Sequence, residues 1–90
     1  EQELERGADP EEVGEPIDVS AVFSRGVKPV AFRWRGRKYV VTEVTGRYSA
    51  SKGGYRRYSF AVRVGTDEIY EITLDTRSMA WRLERVHSVG

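Results

Sequence analysis

From Ile17 to Val86 apolar and polar residues alternate in short runs, and no stretch of ten or more residues holds a helical period. This alternation limits the fold more than any other feature, because a period of two puts successive side chains on opposite faces of a strand. Ile17, Val19, Ala21 and Phe23 read as a first strand, and Val30, Phe32 and Trp34 as a second. Gly36-Arg37 is a tight turn. Lys38–Thr45 then reads as a third strand with apolar residues on both faces, which predicts a central position. Tyr48–Tyr55 reads as a loop around Ser49-Ala50-Ser51-Lys52-Gly53-Gly54. Tyr58–Val64, Ile69–Leu74 and Met79–Glu84 follow as the fourth, fifth and sixth strands.

The expected fold is therefore all-β, an antiparallel meander of five to six short strands. Parallel pairing is excluded because no segment offers a crossover helix. With no helix to cover one face, the sheet must curl into a small barrel or a strongly bent sheet. The alternating positions predict a core of Val19, Phe23, Val30, Phe32, Trp34, Val40, Val44, Phe60, Val62, Ile72, Leu74, Trp81 and Leu83. The chain has 90 residues and no cysteine. It is long enough for one domain, and its stability must come from apolar burial without disulfides or thiolate metal sites. Asparagine is also absent, a thermophile trend that a GC-rich genome reproduces.

The net charge of +1 conceals a strong segregation. Residues 1–20 carry eight acids and one base, a net −7. Residues 21–65 carry eleven bases and one acid, a net +10, and residues 66–90 five acids and three bases, a net −2. Residues 1–15 are too acidic and too poor in apolar groups to offset their ordering entropy, so they read as a disordered tail in front of a single all-β domain at 16–88. Asp9-Pro10-Glu11-Glu12 could form at most one helical turn. As a linker the tail only solubilises; as a competitor it would fold over the basic region.

Basic strands interleaved with tyrosines suit a single-stranded polyanion, where phosphates meet cations and bases stack on rings. Arg33, Arg35, Arg37 and Lys38 form a basic hairpin, with Arg33 and Arg35 expected on one solvent face. Arg56 and Arg57 extend it, Arg47, Lys52 and Arg63 lie nearby, and Tyr48, Tyr55 and Tyr58 are the stacking candidates. A solvated sheet face also takes arginine without any ligand, and acids on neighbouring strands would neutralise it. Two binding readings follow: an auxiliary nucleic-acid-binding module, or a protein-interaction module that offers an exposed strand edge. A structural appendage with no ligand is the third reading.

Catalysis is not expected. His87 is the only histidine, and no cysteine exists to complete a triad or a zinc set with it. Glu43, Glu71 and Glu84 lie in strands without an evident partner. The Ser49–Gly54 segment fails the phosphate-loop pattern, because Lys52 precedes the glycines and a strand follows. No cofactor, metal or membrane contact is expected. No run reaches a membrane-spanning length, and none pairs a basic start with an apolar stretch, so the cytoplasm is the expected compartment.

Two segments carry a resemblance. Phe32-Arg33-Trp34-Arg35-Gly36-Arg37-Lys38-Tyr39-Val40-Val41 and Trp81-Arg82-Leu83-Glu84-Arg85-Val86 resemble a family of small bacterial domains of unknown function. That family has an F-x-W-R-G-R-x-Y-x-V hairpin and a terminal W-x-L-x-R-V strand. The resemblance spans Pro29 to Val86 and implies the same all-β fold. Some such domains occur near genes for error-prone DNA polymerases, an association that fits the nucleic-acid reading and assigns no residue a role.

Overall fold

The alternation becomes seven antiparallel strands in a computed structural model that describes residues 10–88. They are β1 (Glu11–Phe23), β2 (Val27–Trp34), β3 (Arg37–Val40), β4 (Glu43–Lys52), β5 (Tyr55–Arg63), β6 (Glu68–Asp75) and β7 (Ala80–Ser88). One sheet holds all seven in the order β3-β2-β1-β7-β6-β5-β4. The all-β fold read from the sequence is the observed one, with seven strands in place of five to six.

Consecutive strands β3 and β4 stand at opposite edges of that sheet. The chain passes between them at a corner, Val41–Thr42. Val41 N–H donates to the Val30 carbonyl at 2.9 Å, and Thr42 N–H donates to the Arg63 carbonyl at 2.8 Å. Within two residues the chain leaves β2 and joins β5, so the sheet must curl until its ends approach each other. The interior records that curl. Phe32 of β2 lies 5.5 Å from the Tyr70 ring of β6, although β1 and β7 separate the two strands in the sheet. Phe32 also stacks on Tyr39 at 5.0 Å. Such pairs add about 0.5–1.5 kcal/mol beyond the area they bury. Ile17, Phe60, Val62, Ile72, Leu83 and Val86 complete the half-barrel core. Burial also pushes the Tyr70 phenol above its ordinary range, and its hydroxyl donates to Glu68 Oε1 at 3.2 Å.

Four expectations are corrected. The third strand is not central: Lys38–Thr45 divides at the corner into the two edge strands, with Tyr39, Val41 and Val44 packed against the one core and Val40 exposed. Tyr48–Tyr55 is not a loop. Only Gly53 and Gly54 turn, with φ of 61° and 88°, and positive φ at both positions is what a two-residue type I′ hairpin requires. Residues 11–15 of the expected tail belong to β1, paired with β7 from Glu11↔Val86 to Glu15↔Leu83; the helical turn expected there is absent. Arg85 compensates this acidic segment by bonding Glu12 at 3.0 Å and Glu71 at 2.6 Å. The rest of the expected tail, residues 1–9, lies outside the described residues.

The fourth correction concerns the core. Phe23, Val30 and Val40 are exposed, while Val19, Trp34, Val44 and Trp81 are half-buried. A bulge explains Val30. Ser20 pairs with Ala31 and Ala21 with Pro29, which leaves Val30 as the extra residue and reverses the facing of β2 on either side of it. Pro29 and Phe32 are buried instead. Ile17, Ala31, Tyr70 and Val86 are core residues absent from the expected set.

Candidate functional site

Of the four cations of the expected basic hairpin, Arg35 alone forms an ion pair among the described residues. Arg35 leaves the strand face and starts a two-residue turn at φ 52°. Its Nη2 donates to Glu15 Oε2 at 2.7 Å and its Nε to Oε1 at 3.2 Å. The guanidinium also lies 4.5 Å from the centre of the Trp34 ring, whose Nε1 donates to Glu15 Oε1 at 2.8 Å. Arg33 faces Asp18 on β1 and Lys38 on β3, and Arg37 faces Trp34. On β5, Arg57 faces Asp75, with its Nε buried and unbonded. Arg56 donates to Ser49 Oγ at 3.3 Å. The six expected contacts lie on strands that no ladder joins, β2 and β3 at one edge of the sheet and β5 near the other. Of the three tyrosines, Tyr55 lies 4.7 Å beneath the Arg77 guanidinium, Tyr58 is half-buried and Tyr48 is exposed.

Glu15 supplies a direct check of this arrangement. The bond from Arg35, followed by the bond from Trp34, holds its carboxyl below the ordinary glutamate range. The folded state thus favours the ionised form. The contact's contribution to stability is complete above about pH 4.3, the unfolded value, and is lost as pH falls through the lowered folded value. The Trp34 indole N–H resonance should titrate with a midpoint below that of an ordinary glutamate, and Arg35→Ala should raise the midpoint. A midpoint at the ordinary value in the unsubstituted chain would contradict the contact.

A second group of cations also forms no ion pair among the described residues, and it converges on one cleft that holds a single carboxylate, Glu43. β3 pairs with β2 only along Ala31–Trp34, so the edge of Val27–Val30 turned away from β1 is open past the Val41–Val30 bond. β4 pairs with β5 alone among the described residues. Past the corner these two edges diverge, and no Cα of β2 comes within 8 Å of one in β4. Neighbouring strands would lie about 4.8 Å apart. The result is a wedge with its apex at Val41–Thr42. Three hollows of about 380, 240 and 240 Å³ run along it. Pro29, Val30, Val41 and Val44 line the apex together with the carboxylate of Glu43, and Val27, Tyr58 and Phe60 line the hollow nearer the mouth.

Arg47 borders all three hollows. It pairs with Phe60 in the β4–β5 ladder and so shares the inner face of the sheet. Lys28 and Arg25 join it at the mouth. Among the described residues no carboxylate forms an ion pair with any of the three; the ion pairs present engage Arg35, Arg85 and His87. The sequence placed Arg47 only near the margin of the basic surface, and Arg25 and Lys28 were not singled out. Their convergence depends on the corner, which brings residues 25–30 opposite residues 43–49.

On the outer face, Arg85 donates to both Glu71 and Glu12, and His87 Nε2 lies 3.0 Å from Glu71 Oε2. Ser59 and Thr73 share a hydrogen bond at 3.3 Å. A hollow of about 280 Å³ lies over these groups. Among the described residues no cluster of three or more His, Asp or Glu side chains is placed to hold a metal. A scan of protein-family models, a search of curated proteins and a search of solved structures each return no match to this chain.

Proposed function

We propose that the domain is a binding module, without catalytic groups of its own, that holds an extended anionic chain in the wedge between β2 and β4. The observation that carries this reading is the convergence of Arg25, Lys28 and Arg47 on one cleft, with no carboxylate paired to them among the described residues. Three cations against the one carboxylate of Glu43 leave the cleft net positive, which raises the local concentration of anions, and low-dielectric walls focus that field. Half-buried Tyr58 and the neighbouring Phe60 give the cleft an apolar lining against which a chain can pack. Single-stranded nucleic acid and an acidic polypeptide both fit that description.

The test is a fluorescence titration of the full chain with two probes, a short oligothymidylate and a glutamate-rich peptide, at about 50 and 200 mM salt. At least one probe should bind, and the triple variant Arg25→Ala, Lys28→Ala, Arg47→Ala should lose it. If the ligand is the oligonucleotide, each phosphate contact contributes a log–log slope near −0.7. Three contacts then weaken binding about 20-fold between those salt concentrations. No binding of either probe at about 50 mM salt overturns the reading, and so does undiminished binding by the triple variant.

A further inference from the structure

The wedge offers more than charge: it is bounded by two unpaired strand edges. We infer that its ligand is an acidic polypeptide segment, added as an extra strand between β2 and β4. This inference rests on the wedge being the binding site and goes on to name what fills it. The β4 edge presents a row of backbone N–H donors and C=O acceptors with no second partner strand among the described residues, and the β2 edge adds the short stretch Val27–Val30, in which Pro29 has no N–H and the Val30 carbonyl is taken by Val41. A phosphodiester backbone accepts hydrogen bonds but donates none, so it leaves the carbonyl row unmet. A polypeptide strand satisfies both rows at once. One inserted strand needs a gap of about 9.5 Å between its neighbours, and the two edges, more than 8 Å apart at Cα, do not pair with each other.

β4 itself needs covering. It is a ten-residue edge strand with no proline and one bulge, between Val44 and Gly46. Long flat edges recruit strands unless they are blunted. The ladder also specifies a pattern for the ligand. Val44 pairs with Val62 and Arg47 with Phe60, so the bulge leaves these two β4 side chains two strand positions apart on the inner face. An apolar residue seated at the apex, followed two residues later by Asp or Glu, meets Val44 and then Arg47. The recognised sequence is therefore apolar-x-acidic, in extended conformation, with charge complementary to the mouth cations.

The experiment follows amide hydrogen exchange of the full chain with three probes. The first is an acetylated peptide carrying one Val-x-Glu segment, the second the same peptide N-methylated at alternate residues, and the third oligothymidylate. The peptide should slow exchange of edge amides among residues 43–49 and, on β2, of Val27, Lys28 and Val30, Pro29 having none. N-methylation, which removes strand donors and keeps the charge, should weaken binding at least 10-fold. Equal binding of the N-methylated peptide overturns strand addition while leaving the wedge as the binding site. Binding of the oligonucleotide alone has the same consequence. Binding of no probe removes the binding reading together with this inference.

Discussion

Phe32→Ala is expected to cost about 3–5 kcal/mol, the range for removing a buried aromatic ring, while Val30→Ala is expected to cost less than about 0.5 kcal/mol, as at an ordinary surface position. The two residues lie two apart on one strand, and simple alternation puts them on the same face. The structure separates them. Phe32 is 2% exposed and touches the Tyr39 and Tyr70 rings, whereas Val30 is 37% exposed at the bulge. The ring also bridges strands that are not sheet neighbours, so its loss opens the curl as well as a cavity. In a domain of this size each kcal/mol moves Tm by about 4–8 °C, so Phe32→Ala should lower it by about 12 °C or more. Urea denaturation of both variants reads the difference. Comparable losses from the two would refute the bulge and restore the unbroken alternation.

That contrast shows where the sequence was legible. Phe60, Val62, Ile72, Leu74 and Leu83 lie in strands β5 to β7, pair with sequence neighbours, and are all buried as their alternation predicts. Their environment is decided by local period and short hairpins. Val30 and Thr45 each sit where one strand carries an extra residue, beside Pro29 and Gly46, residue types that mark a bend without saying which residue is the extra one. The corner was written ambiguously: apolar residues on both faces of Tyr39–Val44 fit a central strand as well as one that changes partners midway. Gly53-Gly54 did carry a readable turn signal, yet the small polar residues around it resemble a loop. Acidic residues 11–15 form a strand because Arg85 and Arg35, distant in sequence, meet Glu12 and Glu15. The same distant pairings decide the site. Whether an arginine is free depends on which acid folds against it, and composition cannot say that Arg35 is taken while Arg47 is not.

Arg47→Glu should therefore weaken binding of an anionic chain by at least about 100-fold, and Arg33→Ala with Arg35→Ala should change it less than about 3-fold. Charge-assisted bonds contribute about 1.5–3 kcal/mol each, and the reversal adds repulsion to their loss. Arg47 borders every hollow of the wedge, so no position along the bound chain escapes the new charge. Arg35 is engaged by Glu15, and Arg33 faces Asp18 on the opposite side of the sheet from Phe32; neither borders the mouth. Arg47 is exposed and makes no ion pair among the described residues, so its replacement should leave the fold intact. Urea denaturation of the same samples checks this, with a midpoint unchanged within about 0.5 kcal/mol of stability. A binding loss that follows the Arg33 and Arg35 pair instead would move the site to the β2–β3 hairpin. The wedge would then be an open seam of the half-barrel with no ligand of its own.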